Sequence, residues 1–421
     1  MKVGLVLGGG GSKGAYEVGV WKALRELNIQ FDIVTGTSIG AMIGAMIVQD
    51  DFEKCESLWN GIEIEDVIEN GVNLNFDIKS ILAQKKSYTK FVENLCSSRR
   101  DDILPFIKIV NHMFDEDKFF NSAIDFGCMT INVTKRKPQA FQKAQLSTAK
   151  EVKNVLIASA ACFPMFPMKK IDDENFIDGG YYDNVPIQLA RELGADIIIA
   201  VDLKSVGTNR IDEPQADVIY IEPHVPLGSF FCFHQEIIQR NKLIGYLDTM
   251  KKFQYYYGYI YTFHFQSKNN ILQYENAFQS ILHHFHINYD DSKYIRLLTK
   301  VCLSKIKLII SHYEDYTYQY LYLLEQVAIL FDIEYLHIYD FNEFKQKVVT
   351  LMKKLTFSNT KEEKRNLKLV LHKLKRLSHK EMIYYLYMMV REDPYDTRLL
   401  PYIVAFTEDY LKALAIYLCE I

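Results

Sequence analysis

Two short glycine-rich segments stand where an apolar run gives way to a helical pattern, and they restrict this chain more than any other feature. The first, Gly8-Gly9-Gly10-Gly11-Ser12-Lys13-Gly14, follows the apolar run Lys2–Leu7. It leads into Ser12–Leu27, where Ala15, Val18, Gly19, Ala23, Leu24 and Leu27 recur at helical spacing. The second, Gly36-Thr37-Ser38-Ile39-Gly40, follows the β-branched run Phe31–Thr35, and a further helix is expected to begin near Ser38. Strands are also expected at Ile124–Val133, Asp196–Val201 and Val218–Ile221, and a helix at Thr148–Ala160. Strands alternating with helices over roughly the first 200 residues predict an α/β fold with a mostly parallel sheet, whose strand ends feed loops that hold functional groups.

The character changes after residue 262. Glycine disappears, Tyr, Leu and Lys dominate, and stretches such as Lys293–Ile310 and Arg365–Tyr387 keep helical spacing. The expected organisation is a catalytic domain over residues 1–262 and a C-terminal α-helical domain of open role over 263–421. Residues 1–250 carry 26 basic and 34 acidic side chains, whereas 251–421 carry 23 and 19, so the two parts differ in sign. Lys361–Lys380 places Leu367, Val370, Leu371, Leu374 and Leu377 on one face and most of its cations elsewhere, the pattern of a bundle helix or of a basic helix lying on anionic lipid.

A net charge of −4 gives no general cationic excess, which argues against a nucleic-acid partner. No apolar run approaches the ~20 residues needed to span a bilayer, and the N-terminus lacks the pattern of a secretory signal. A cytoplasmic protein is expected, with contact to the inner face of the membrane at most peripheral. The seven cysteines (Cys55, Cys96, Cys128, Cys162, Cys232, Cys302 and Cys419) include no Cys-x-x-Cys and read as reduced packing residues.

The chemistry lies in three motifs. In the first, glycines let the backbone turn sharply and aim amide N–H groups at an anion, with a helix N-terminus adding favourable partial charge. Gly9-x-Gly11-x-x-Gly14 also fits a dinucleotide fingerprint, but Thr35-Gly36-Thr37-Ser38 stands where an acidic residue should end the second strand. A phosphate loop fails too, because Lys13 precedes the glycine it should follow. The second motif, Gly36-Thr37-Ser38-Ile39-Gly40, has the Gly-x-Ser-x-Gly spacing that presents a serine hydroxyl on a tight strand-to-helix turn. The third, Asp178-Gly179-Gly180 at a strand end, supplies a carboxylate with glycines that permit close approach; standing alone it would read as a turn.

Taken together and in this order, the motifs resemble the patatin-like phospholipase family over about residues 1–250, and the chain is expected to be a bacterial patatin-like serine acyl hydrolase. Ala158-Ser159-Ala160-Ala161, the Pro-rich loop Phe163–Pro167 and Asn184-Val185-Pro186 add to the likeness. The resemblance implies a three-layer α/β/α fold and a Ser–Asp dyad without histidine. It makes Ser38 the nucleophile, Asp178 the general base, and the amides of Gly9, Gly10 and Gly11 the oxyanion hole, with Lys13, Gly14, Gly36, Gly40, Gly179 and Gly180 supporting the motifs. The implied activity is hydrolysis of fatty acyl esters of lipids, of the phospholipase A or lysophospholipase kind, through an acyl-enzyme and with no metal or other cofactor. An acyltransferase or thioesterase using the same acyl-Ser38 is the alternative. The expected partner is a lipid ester substrate, not a nucleic acid; oligomeric state stays open.

Several residues compete for roles. His224 follows Asp178 and fits the Ser…Asp…His order of a conventional triad, although an exposed loop residue is the plainer reading. His283-His284-Phe285-His286 is read as structural, since adjacent side chains diverge. Phe163–Met168 either lines an acyl channel or packs as a loop, Lys13 attracts a head group or fixes the glycine loop, and Tyr255–Tyr261 is read as a packing surface.

Overall fold

The structure is a computed structural model that describes residues 1–68, 103–163, 165–209, 215–287, 293–311, 318–355 and 375–420. The chain divides into two compact units, Met1–Lys252 and Phe253–Ile421.

The described elements of the first unit are β1 (Val3–Leu7), α1 (Ala15–Glu26), β2 (Ile33–Thr37), α2 (Ile39–Val48), α3 (Phe52–Gly61), α4 (Leu104–Met113), α5 (Glu116–Asn121), β3 (Asp125–Asn132), β4 (Lys137–Gln142), α6 (Ala149–Ser159), β5 (Lys169–Ile171), β6 (Glu174–Asp178), α7 (Ile187–Glu192), β7 (Ile197–Val201), β8 (Val218–Ile221) and α8 (Gln235–Lys252). The strands form one sheet in the order β5-β6-β3-β2-β1-β7-β8, with β4 also paired to β3. Strands β3, β2, β1, β7 and β8 run parallel, whereas β4 and β6 lie antiparallel to β3. Helices cover both faces. Leu189 of α7 packs over Gly127, while Gly44 of α2 packs over Val34 and Phe126, which point the other way. Burial on both sides explains why β1, β2 and β7 read as continuous apolar runs.

The expected α/β fold is therefore present, and two details differ from the expectation. Strand β2 runs through Gly36 and Thr37 rather than stopping at Thr35, because Gly36 is a packing glycine inside the strand. A Cβ there would lie 2.5 Å from the carbonyl carbon of Gly40. Helix α6 starts where Thr148 accepts from the Glu151 N–H and the Glu151 side chain reaches back, a capping box readable from Thr148-x-x-Glu151. Near the other end of the unit, α1 and α8 cross with almost no gap. A Cβ on Gly19 would lie 1.8 Å from the Lys242 carbonyl oxygen, and one on Gly245 would lie 2.0 Å from that of Tyr16.

The second unit is helical around a core of its own. Its elements are β9 (Thr262–Phe263), α9 (Lys268–Ile287), α10 (Lys293–Ser311), α11 (Gln319–Leu330), β10 (Ile338–Tyr339), α12 (Phe341–Lys353), α13 (His379–Glu392), α14 (Leu400–Ala405) and α15 (Thr407–Leu418). Tyr261, Phe263, Tyr320, Phe341, Phe344 and Tyr410 are fully buried there, so the Tyr-rich stretch enters a packed core rather than a stacking platform. The buried Glu325 carboxylate accepts from the N–H groups of Tyr259, Ile260 and Tyr261, at 3.0, 2.7 and 3.3 Å, and so fixes the entry to β9. Most of the basic stretch Lys361–Lys380 lies outside the described residues, as do Cys96 and the side chains of His284 and His286.

Candidate active site

Register on β3 brings the second and third motifs together. Strand β2 pairs Thr37 with Met129 of β3, and the antiparallel β6 pairs its last residue, Asp178, with Thr130, the next residue of β3. The ends of β2 and β6 therefore meet head-on along one neighbouring strand, which sets Ser38 beside Asp178. The Ser38 hydroxyl is near enough to the Asp178 carboxyl to offset part of the effect of burial on it, and each residue is only 5% exposed.

Ser38 caps α2 with φ +55° and ψ −124°, a left-handed conformation that costs a non-glycine residue about 1–3 kcal/mol. Contacts on every side hold it there. Its N–H donates to Ser159 Oγ at 2.8 Å, and that hydroxyl donates to the Met129 carbonyl at 2.7 Å. Its carbonyl accepts from the N–H groups of Ala41 at 3.0 Å and Met42 at 3.3 Å, the first bonds of α2. Gly40 lets this turn lie against the end of β1, since a Cβ at position 40 would sit 2.5 Å from the Leu7 carbonyl oxygen. Gly14 does the same for the start of α1, where a Cβ would stand 2.6 Å from Ile39 Cγ1.

The Asp178 carboxylate accepts from the Gly180 N–H at 2.7 Å, and its own N–H donates to the Ala161 carbonyl at 2.9 Å. Burial dominates these bonds and raises its carboxyl to about 6. A carboxylate so raised is a stronger base than one in water, which a serine partner requires. Gly179 has no room for a side chain, because its Cβ would meet the Met129 carbonyl oxygen at 2.4 Å.

The glycine loop needs one correction. The Gly9 N–H, expected among the oxyanion donors, already donates to the Asn184 carbonyl at 3.2 Å, and Asn184 Nδ2 donates back to the Gly9 carbonyl at 3.1 Å. Asn184 thus clamps the loop from both sides, and the Gly9 amide is not available to an oxyanion. Among the described residues, no group accepts from the N–H of Gly10 or Gly11, and Gly11 lines the cavity at Ser38. The Ser12 N–H donates to the Phe230 carbonyl at 2.9 Å and its hydroxyl to the Ser229 carbonyl at 2.9 Å, which anchor the far end of the loop. Lys13 Nζ donates to the Lys204 carbonyl at 3.4 Å, an arrangement that favours fixing the loop over collecting a head group.

Beside Ser38 opens a cavity whose walls are almost wholly apolar. It is lined by Ile39, Met42 and Met46 of α2, Trp59 of α3, Phe106 of α4 and Phe166, among others. Phe166 comes from the Pro-rich loop, which thus supplies one wall, while Phe163 and Met168 of the same loop are exposed and Pro164 lies outside the described residues.

His224 is not at this site. Its Nδ1 lies 3.8 Å from Asp248 Oδ1, and Asp248 also pairs with Lys251 at 3.0 Å and accepts from the Tyr16 hydroxyl at 3.0 Å. Among the described residues no cluster of three or more His, Cys, Asp or Glu could hold a metal ion. Ser159 and Asn184 are the supporting residues whose work the sequence reading left unassigned. Their signal was position: each stands in a short segment that accompanied the motifs, next to Ala160 or Val185.

Residues 5–191 match the family model described as Patatin-like phospholipase. Curated relatives include Lysophospholipase nte1 of Aspergillus oryzae, 31% identical over 209 residues, covering 49% of this chain and 12% of the relative. They also include the Patatin-like phospholipase domain-containing protein ZK370.4 of Caenorhabditis elegans, 31% identical over 228 residues and covering 50% and 14%. The chain thus spans about an eighth of the length of these relatives, which are fungal and nematode proteins and say nothing for the bacterial source expected above. The crystal structure of VipD from Legionella pneumophila aligns with a TM-score of 0.39 at 16% identity over 98% of this chain and 90% of that one, a likeness too low to carry an argument.

Proposed function

We propose that the chain hydrolyses fatty acyl esters of lipids with Ser38 as nucleophile and Asp178 as general base. The observation that carries this reading is the buried pair, Ser38 set beside Asp178 by strand register, on an apolar cavity that Ser38 lines. Asp178 accepts the Ser38 proton as Oγ attacks the ester carbonyl, and the Gly10 and Gly11 amides face the developing oxyanion. The acyl chain lies in the cavity, the alcohol half leaves with the proton, and water then releases the fatty acid.

An alkyl fluorophosphonate tests the pair without assuming a head group, because the nucleophile displaces fluoride and keeps the phosphonyl group. Mass spectrometry is expected to locate one adduct per chain on the peptide containing Ser38, with labelling slowed in Asp178→Asn. An adduct on another residue, or none, overturns the assignment.

The site lies in the unit Met1–Lys252, ten residues shorter than the domain expected at residues 1–262, and the second unit carries a feature that supports peripheral contact with lipid. No described helix is long and apolar enough to cross a membrane. On α10, however, Leu297, Val301 and Leu308 are exposed and fall within about 40° of one another around the helix axis. The exposed Lys300 and Lys307 lie along one side of this stripe, and α10 contains no Asp or Glu. An apolar line edged by cations suits an anionic bilayer surface. The full chain is expected to float with vesicles containing phosphatidylglycerol and not with pure phosphatidylcholine, and Leu297→Glu/Leu308→Glu is expected to stay at the bottom of the gradient. Equal flotation by both proteins would sink the membrane role of α10.

A further inference from the structure

We propose that α2 measures the acyl chain, with Met46 and Met113 closing the cavity at a depth of about ten carbons. The proposal rests on the acyl-hydrolase reading and adds to it a chain-length limit.

The geometry follows from one helix. Ser38 caps α2, and Ile39, Met42, Ile43 and Met46 all line the cavity, so the cavity follows the helix away from the nucleophile. At 1.5 Å per residue, Met46 lies roughly 12 Å along the axis from Ser38. An extended chain advances about 1.2 Å per bond, as a fully extended peptide unit of three bonds does over ~3.6 Å. An acyl chain bound by its carbonyl at Ser38 therefore reaches Met46 near its tenth carbon.

Beyond Met46 the surroundings turn polar. Gln49, one turn on and 4% exposed, donates to the Ala45 carbonyl at 2.8 Å and accepts from the Asp115 N–H. Next to it the Asp51 carboxylate pairs with Lys118. The Asp115 contact also brings the end of α4 to this place, and its last residue, Met113, lines the cavity and is 1% exposed. A longer tail would have to push apart a buried amide and an ion pair, leaving their polar groups unmatched, whereas a shorter one leaves apolar wall uncovered. Two methionines are well suited to this end wall, since their unbranched side chains accommodate a methyl terminus without a fixed shape.

Binding of free fatty acids reads the limit separately from the chemistry. The chain contains two tryptophans, Trp21 and Trp59, and Trp59 lines the cavity. The full chain carrying Trp21→Phe therefore reports on the cavity through Trp59 fluorescence alone. Titration with the straight-chain series from hexanoate to palmitate is expected to show Kd falling about fourfold per added methylene up to decanoate and then levelling or rising. In the same background, Met46→Ala is expected to move the break toward myristate and Met46→Phe toward octanoate. Opposite shifts cannot come from general loosening of the fold, and thermal melts identify a variant that has not folded, leaving the other to decide.

A Kd that keeps falling through palmitate, a break that neither folded variant moves, or no binding by any member of the series overturns the ruler. None of these results bears on whether phosphonate labels Ser38. Conversely, an adduct on another residue would overturn the hydrolase reading whatever the binding series shows.

Discussion

Ser38→Ala is expected to abolish hydrolysis of p-nitrophenyl acyl esters, and Asp178→Asn to lower kcat by ~10²–10⁴-fold, the usual contribution of a positioned general base. His224→Ala is expected to keep wild-type activity, because that ring pairs with Asp248 and not with Ser38 or Asp178. Activity of the wild type should rise with pH through about 6, where the Asp178 carboxyl loses its proton and becomes able to accept one from Ser38. The remaining activity of Asp178→Asn should lack that limb. Stability should respond in the opposite sense. The folded-state value of Asp178 lies above that of an unfolded aspartate, near 4, so its contribution is complete below about 4 and declines as pH rises through about 6. Asp178→Asn should therefore melt higher than wild type at neutral pH. Normal hydrolysis by Ser38→Ala, or a flat wild-type profile between pH 5 and 7, would remove the dyad.

The second large effect concerns the fold. Gly40→Ala places a methyl group 2.5 Å from the Leu7 carbonyl oxygen, 2.6 Å from its carbon and 2.7 Å from the Gly8 carbonyl oxygen, all backbone atoms at the end of a central strand. None of them can turn aside as a side-chain tip can. The helix and the strand must separate, at a cost of about 3 kcal/mol or more, in the upper part of what overpacking incurs. A fall in Tm of roughly 10 °C is expected for a unit of this size. Activity should fall with it, since the displaced helix begins at Ser38. Gly61→Ala is the matched control, because a Cβ there meets no atom within 4 Å, and it should melt like the wild type. Equal melting temperatures for the two variants would show that the turn is looser than its contacts imply.

Much of this was legible in the sequence because the chemistry is concentrated in short segments at strand ends. The apolar runs located β1, β7 and β8, and the glycines located both strand-to-helix turns. What single segments could not reveal was register. Ser38 and Asp178 are 140 positions apart, and they meet because β6 enters antiparallel and stops opposite Thr130, which depends on pairing rather than on local pattern. The same limit hid the Gly9 amide, since nothing near Gly9 announces that Asn184 will return across the fold to take it. Ser159 was similarly quiet: a buried hydroxyl on an otherwise apolar helix face becomes informative only once its two partners, Ser38 and Met129, are visible.

The crossing of α1 and α8 limits how this protein can be cut. The matched segment ends at residue 191, yet β7, the neighbour of β1 in the sheet, and α8, which lies backbone to backbone on α1 through Gly19 and Gly245, come later in the chain. A fragment trimmed to the matched segment would leave β1 with a bare parallel edge and strip the cover from α1, inviting edge-to-edge aggregation. Fragments for expression, fusion or display therefore have to run at least through Lys252, and a protease that nicks the chain ahead of α8 should inactivate an ester site to which that helix contributes no reacting group.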